Sequence, residues 1–194
     1  MRWTALVPLR LGPVGKTRLG SALSNAERSV AVARMARHVL AILAQCPQID
    51  ERVVLTDRVP DMGETRCAED RGRGLNREIA AFRDGFGPGP LLVVHADLPL
   101  VGVADVDSLL DTAERYGAAL ATDRAGTGTN ALALADGRDF GFEFGPNSRA
   151  LHCAQDADMP VVRSIGLAAD LDTPSDLEFL RERGFDTRSP QDSG

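Results

Sequence analysis

The 194-residue sequence is poor in several features that define common classes of protein. Its three cysteines, Cys46, Cys67 and Cys153, are widely spaced and form no Cys-x-x-Cys pair. This pattern disfavours both a disulfide framework and a zinc knuckle. No stretch approaches the roughly 18 consecutive apolar residues of a membrane span, and the apolar run at the N-terminus is too short for a signal peptide. We therefore expect a cytoplasmic chain without a membrane partner.

Basic residues are in deficit, and lysine is almost absent. The chain has 22 Lys and Arg against 28 Asp and Glu, which gives a formal net charge of -6. Since nucleic-acid binders carry basic patches, this balance argues against a nucleic-acid partner. Lys16 is the single lysine, and it lies within the first 26 residues, which hold four basic residues and no acidic one.

Short apolar runs alternate with helical patterns along most of the chain. The run at 91–94, Leu-Leu-Val-Val, lacks the period-two alternation of a half-exposed strand, as is typical of parallel strands covered on both faces. The alternation predicts an α/β fold with a three-layer, mostly parallel, Rossmann-like sheet. The predicted strands are 4–9, 52–56, 91–95 and 118–122, and the predicted helices are 25–44, 76–86, 105–116 and 147–154.

The last third of the chain has a different pattern. Segments 130–134, 141–144 and 161–164 resemble short strands separated by Gly-rich loops, which predicts a small antiparallel addition to the sheet. A final helix begins near Thr173 and Pro174, a capping residue followed by a proline suited to the first turn. We expect a single domain over residues 1–186 and a frayed tail at 187–194.

A Gly-rich loop follows the first predicted strand. Segment 12–17, Gly-Pro-Val-Gly-Lys-Thr, is similar to a phosphate-binding P-loop, which needs eight positions, Gly-x-x-x-x-Gly-Lys-Ser/Thr. Arg10 stands where the first glycine is required, so the loop is two residues short, and a P-loop phosphotransferase or NTPase is the less favoured alternative. A loop that carries Arg10, Lys16 and Arg18 at the carboxyl end of a parallel strand still predicts polyphosphate binding.

Two acidic turns offer metal ligands. Asp97 follows the apolar strand at 91–95, and Asp172 stands just before the last helix. Mg²⁺ in proteins takes one or two carboxylates together with phosphate oxygens and water, so these residues predict a magnesium site. For each aspartate alone, a helix cap or a turn is an equally good interpretation.

Two loops of small residues complete the candidate site. Segment 126–129, Gly-Thr-Gly-Thr, and segment 144–148, Phe-Gly-Pro-Asn-Ser, are rich in backbone N–H groups and hydroxyls, which bind phosphates or carboxylates without bulky side chains in the way. No histidine or cysteine stands out as catalytic. His95 is interpreted as a packing imidazole, and His38 and His152 lie in helical patterns without a visible partner.

Taken in order, these motifs resemble the 2-phospho-L-lactate or phosphoenolpyruvate guanylyltransferases of coenzyme F420 biosynthesis. The similarity runs from about Leu6 to Leu177, and the Gly-Thr-Gly-Thr and Phe-Gly-Pro-x-Ser pair is its most specific part. The resemblance implies a fold of the nucleotide-diphospho-sugar transferase type, within the group that includes molybdenum-cofactor guanylyltransferases. The implied partners are GTP and a small phosphorylated three-carbon acid, with a homodimer left open.

The family's functional residues are carried over to the matching positions of this chain, which departs from the family in its Gly-rich loop, in Arg10 where relatives often have lysine, and in Asn130. The resemblance assigns the GTP phosphates to Arg10, Lys16 and Arg18. It assigns nucleoside contacts to Gly74 and Asn76, Mg²⁺ to Asp97 and Asp172, and the acid to Thr129, Gly145 and Ser148. Lys16, Asp97 and Asp172 are the implied catalytic residues. The implied reaction transfers GMP to the phosphate of 2-phospho-L-lactate, phosphoenolpyruvate or 3-phosphoglycerate and releases pyrophosphate. A non-catalytic nucleotide-binding relative of the fold remains a third alternative.

Overall fold

The computed structural model describes residues 1–10, 17–58 and 65–187, which form one central sheet with helices around it. The strands are β1 (Trp3–Pro8), β2 (Ile49–Thr56), β3 (Arg66–Glu69), β4 (Leu91–Val94), β5 (Ala118–Thr122), β6 (Thr129–Leu134) and β7 (Val161–Val162). The α-helices are α1 (Asn25–Gln45), α2 (Leu75–Phe86), α3 (Val103–Tyr116), α4 (Ser148–Cys153), α5 (Ile165–Ala168) and α6 (Pro174–Arg181), and a 3₁₀ helix spans Thr17–Ser21.

The seven strands are ordered β3-β2-β1-β4-β6-β5-β7. Strand β6 is antiparallel to both of its neighbours, β4 and β5, and the other neighbouring pairs are parallel. This topology confirms the predicted mostly parallel sheet with a small antiparallel addition. Because β6 runs against β4, the start of β6 lies at the edge where β4 ends, and the His95 N–H donates to the Asn130 carbonyl over 2.9 Å.

The central strands are buried on both faces, which explains their lack of alternating polarity. Every residue of β4, β5 and β6 is buried. Along β1, Ala5 and Val7 face a cluster that includes residues of α1 and α3, whereas Leu6 faces a second cluster that includes Ile79 of α2. The two clusters are the inner surfaces of a three-layer sandwich, as predicted.

The predicted helix starts agree with the structure. Ser24 and Glu27 form a capping box at the start of α1, in which the Glu27 carboxylate accepts from the Ser24 N–H over 2.8 Å. Thr173 caps α6, and Pro174 occupies its first turn. None of the helices within the described residues is long and apolar enough to cross a membrane. The predicted frayed tail lies outside the described residues, apart from Thr187, which is buried.

Segment 141–144 is not a strand, which corrects the prediction. Its backbone hydrogen bonds go to side chains instead, from Gly141 to Gln155, from Glu143 to His152 and from Phe144 to Asn76. Strand β3 was not predicted, because its sequence, Arg-Cys-Ala-Glu, has no apolar run. As an edge strand it needs no fully buried face.

Candidate active site

Three aspartates meet at the carboxyl end of β4. Asp97 follows β4, and Asp170 and Asp172 lie between α5 and α6. One carboxylate oxygen of each lies within 4.8 Å of the others. The Leu171 N–H donates to the Asp97 carbonyl over 3.3 Å, which links the two segments. The structure thus brings the predicted Asp97 and Asp172 together and adds Asp170, which sequence analysis missed.

The pKa of Asp170 is raised to about 7, chiefly because the carboxyl group is buried. The negative charges of Asp97 and Asp172 raise it further, while a hydrogen bond from Asn130 acts in the opposite direction. Asn130 donates over 3.3 Å to Asp170 and over 3.0 Å to the Leu167 carbonyl. A cation would relieve this concentration of negative charge, and a set of carboxylate oxygens fits a hard divalent ion such as Mg²⁺.

The aspartates line a cleft of about 400 Å³, which we call the acidic cleft. The predicted site residues come from widely separated parts of the sequence, and most of them border this cleft. They are Arg18, Asp97, Thr129, Gly145, Ser148 and Asp172.

Ser148 places a buried hydroxyl in the acidic cleft. The residue is 1% exposed, and its Oγ has no hydrogen-bond partner among the described residues. A buried hydroxyl without a partner costs about 1–3 kcal/mol. A ligand with hydrogen-bonding atoms in the cleft would remove that cost.

The backbone beside Ser148 adopts unusual conformations. Gly145 has φ 128°, a region that favours glycine, and a Cβ added there would meet no atom within 4 Å. Asn147 has φ 59° and is the one non-glycine residue with positive φ in the described ranges. The turn therefore leaves open space beside Gly145 in the cleft wall.

Thr129 and the Gly-rich loop before it form another part of the cleft wall. Asp123 closes this loop, because its carboxylate accepts from the Thr127 N–H over 2.8 Å. A Cβ on Gly128 would lie 2.8 Å from the Asp123 carboxylate, so a larger residue there would displace the carboxylate that closes the loop. The Thr129 hydroxyl lies 3.0 Å from Nδ1 of His152.

His152 is fully buried and has two partners, neither of which was predicted. Its Nε2 accepts from the Glu143 N–H over 2.9 Å, and its Nδ1 contacts Thr129. Burial, assisted by His95, lowers the pKa of His152 to about 4. The imidazole is therefore neutral at pH 7.

A second cleft of about 360 Å³, the apolar cleft, lies beside the acidic one. It is bordered by Pro8, Leu9, Arg10, Val32, Met35, Asp70, Leu75, His95, Ala96 and Asp97. Arg10 donates to Asp70 over 2.9 Å, and its side chain is 60% exposed. His95 and Asp97 border both clefts, so the two cavities meet at the end of β4.

The predicted nucleoside residues Gly74 and Asn76 lie at the start of α2, on either side of Leu75 of the apolar cleft. The Asn76 amide donates to the Phe144 carbonyl over 3.1 Å and accepts from the Phe144 N–H over 2.8 Å. Its side chain thus braces the turn that carries Gly145. Lys16 lies outside the described residues.

The fold is of the nucleotide-diphospho-sugar transferase type. The fold is similar to a crystal structure assigned to the nucleotide-diphospho-sugar transferases from Desulfovibrio desulfuricans G20, with a TM-score of 0.69 and 18% identity over 93% of this chain and 87% of that one. A model of the family described as "Guanylyl transferase CofC like" matches residues 3–191, and the chain belongs to that family.

The chain is also similar in sequence to the phosphoenolpyruvate guanylyltransferases of two bacteria. The chain is 35% identical to the phosphoenolpyruvate guanylyltransferase of Sphaerobacter thermophilus over the full length of both proteins. It is 34% identical to the phosphoenolpyruvate guanylyltransferase of Nocardia farcinica, over 93% of this chain and 85% of that protein. The resemblance drawn from the motifs is therefore confirmed at the level of the family.

Proposed function

We propose that this chain transfers GMP from GTP to the phosphate of a small phosphorylated acid and releases pyrophosphate, as a step of coenzyme F420 biosynthesis. The acceptors considered are phosphoenolpyruvate, 2-phospho-L-lactate and 3-phosphoglycerate. The observation that carries the proposal is the meeting of two chemically different clefts at Asp97. The names of the relatives support guanine as the base and phosphoenolpyruvate as the first acceptor to test.

In this proposal the apolar cleft takes the nucleoside and the acidic cleft takes the acid. Planar bases bind well between apolar side chains, whereas a carboxylate needs hydrogen-bond donors. The hydroxyls of Thr129 and Ser148 and the open backbone at Gly145 hold the acid. Arg10, Lys16 and Arg18 compensate the charge of the triphosphate, and Gly74 and Asn76 shape the nucleoside side of the site.

Asp97, Asp170 and Asp172 would hold Mg²⁺ at the junction of the clefts. When bound, the ion would neutralise phosphate charge and make the α-phosphorus more electrophilic. The chain itself keeps the two anionic substrates next to each other, which converts a reaction between separate molecules into one between positioned groups.

The bond changes need no general base from the protein. An oxygen of the acceptor phosphate, already ionised at pH 7, forms a bond to the α-phosphorus of GTP. The bond between that phosphorus and the oxygen bridging to the β-phosphorus breaks, and its electron pair leaves with pyrophosphate. His152 agrees with this scheme, because both of its ring nitrogens already have partners, Thr129 and Glu143, and no residue has to accept a proton.

The test is the identity of the released product. The chain is incubated with Mg²⁺, with GTP or ATP, and with each of the three acids, and pyrophosphate and nucleoside diphosphate are both measured. We expect pyrophosphate that depends on GTP and on one acid. Release of GDP or ADP would instead support a phosphotransferase, and GTP binding without any pyrophosphate would support a non-catalytic protein.

A further inference from the structure

His152 contacts both loops that border the acidic cleft. On one side its ring meets the hydroxyl of Thr129 at the end of the Gly-rich loop, 23 positions earlier in the chain. On the other side it meets the backbone of Glu143, two residues before Gly145. Phe140 and Phe144 pack on the ring, with centroids 5.7 and 5.0 Å away. One buried side chain therefore joins two walls of the cleft.

The hydrogen bonds of His152 determine where its proton is. A backbone N–H can only donate, so Nε2, which receives the bond from Glu143, must carry a lone pair. A neutral imidazole has one N–H, which must then be on Nδ1. Nδ1 accordingly donates to the Thr129 hydroxyl over 3.0 Å.

This assignment determines what the Thr129 hydroxyl can do. Its oxygen accepts from His152, so its own proton is left for another acceptor. Thr129 is only 2% exposed and borders the acidic cleft, as does Ser148, whose hydroxyl also has no protein acceptor among the described residues. Two hydroxyl protons are thus available to a ligand that offers oxygen atoms.

We propose that His152 is a positioning residue that fixes the Thr129 hydroxyl as a hydrogen-bond donor to an oxygen of the bound acid and holds the two loops at the correct separation. This inference rests on the proposed function for the identity of the ligand. The assignment of the imidazole proton does not depend on it.

The competing interpretation is a core histidine that contributes packing alone. Packing would be satisfied by any ring of similar size and would affect the two substrates alike. Positioning requires a donor at Nδ1 and affects the acid but not the nucleotide. The two interpretations therefore predict different NMR spectra for His152. They also predict different changes in the KM for the acid and in the KM for the nucleotide.

The first test is long-range ¹H–¹⁵N NMR of the full chain labelled at its three histidines, with the His152 signals assigned by their loss in His152→Phe. We expect a neutral ring with the proton on Nδ1 at pH 7. A proton on Nε2, or a charged ring, would overturn the inference whether or not the chain is a guanylyltransferase.

The second test separates the two hydrogen bonds by substitution. His152→Asn keeps a donor near the position of Nδ1, His152→Gln keeps an acceptor near the position of Nε2, and His152→Phe keeps neither. We expect His152→Phe to raise the KM for the acid at least about tenfold, the size of a lost hydrogen bond to a charged group, with the KM for GTP within twofold. His152→Asn should recover more of this loss than His152→Gln. Equal increases in both KM values, or a better recovery by Gln, would contradict positioning.

A Thr129 pair keeps the inference testable if the His152 variants fold poorly. Thr129→Val removes the hydroxyl at constant shape, and Thr129→Ser retains it. We expect the KM for the acid to rise in the Val variant and to stay near the parent value in the Ser variant. Where His152→Phe folds, adding it to Thr129→Val should change that KM no further, because the interaction has already been lost. Fully additive effects would overturn the inference. Failure of the proposed function is seen separately, as absence of pyrophosphate release by the parent chain.

Discussion

The acidic cleft and the apolar cleft share Asp97 but are built in different ways. The wall of the acidic cleft is braced by buried and half-buried hydrogen bonds, from His152 to Thr129, from Asn76 to Phe144 and from Asn130 to Asp170. The apolar cleft is formed mainly by packed side chains and also carries the ion pair between Arg10, whose side chain is 60% exposed, and Asp70, whose side chain is 5% exposed. The polar groups of the acidic cleft are held in place before a ligand binds, whereas the apolar cleft presents mainly an apolar surface of fixed shape.

This difference predicts that the two clefts recognise their substrates in different ways. Polar groups that are already held in place lose little entropy on binding and discriminate strongly against ligands that leave them without partners. A shaped apolar wall tolerates small changes more easily. We therefore expect selectivity for the acid to come from fixed hydrogen bonds. Binding of the nucleotide should depend on the shape of the apolar cleft and on the charges where the two clefts meet.

The largest expected effect is loss of the acidic triad where the clefts meet. Replacing Asp97, Asp170 or Asp172 by Asn should each lower Mg²⁺-dependent turnover at least about a hundredfold, because charge compensation at the phosphates is worth several kcal/mol. Steady-state pyrophosphate release measures the effect. Asp158→Asn, at an exposed acid outside both clefts, is the matched control and should retain parent activity. Near-parent turnover in Asp170→Asn would remove that residue from the triad.

Proton competition should distinguish the acidic cleft from the apolar one. The pKa of Asp170 is about 7, so lowering the pH below that value protonates this proposed metal ligand. Protonation weakens the binding of the divalent ion. The dissociation constant of Mn²⁺, measured by titration without substrates, should rise about tenfold for each pH unit below 7 and level off above it. Asp170→Asn should bind the ion more weakly and lose this slope. The same slope in Asp170→Asn would place the titrating group elsewhere.

Removing the Ser148 hydroxyl should affect the acid and spare the nucleotide. We expect Ser148→Ala to raise the KM for the acid about tenfold, with the KM for GTP unchanged. The melting temperature of the ligand-free protein should be equal or higher, because the lost hydroxyl has no partner among the described residues. Ser108→Ala, at an exposed position of α3, is the control. A rise in the KM for GTP would reverse the assignment of the clefts.

The smallest effect is expected at the exposed edge of the apolar cleft. Arg10→Ala removes a guanidinium whose side chain is 60% exposed, and a charge in contact with solvent acts weakly on a ligand because water and salt screen it. The KM for GTP should rise a few-fold, and the KM for the acid should not change. A loss as large as that of the triad variants would show that Arg10 touches the reacting phosphates.

Local sequence patterns predicted the parts of the site that lie at the ends of elements. Asp97 follows an apolar strand and Asp172 precedes a capped helix, so the general rule for open α/β sheets places both at one edge. Asp170 was missed, although its spacing of two from Asp172 is a usable signal, since residues at i and i+2 of an extended segment point the same way.

The braces of the acidic cleft could not be predicted in the same way. His152 lies in a helical pattern, and nothing local shows that its partners are Thr129 and Glu143. Segment 141–144 has the composition of a strand, but its hydrogen bonds go to the side chains of Asn76 in α2, His152 in α4 and Gln155 just after α4. These contacts depend on which elements pack together, which a single sequence does not state.

The central claim is that the three aspartates and the acid-binding loops form one reaction site. The most direct measurement is a crystal structure of the chain with Mn²⁺ and phosphoenolpyruvate, in which anomalous scattering locates the metal. The account predicts manganese bound to Asp97, Asp170 and Asp172, with the acid in contact with Thr129 and Ser148. Manganese bound away from these aspartates, or the acid in the apolar cleft, would contradict it.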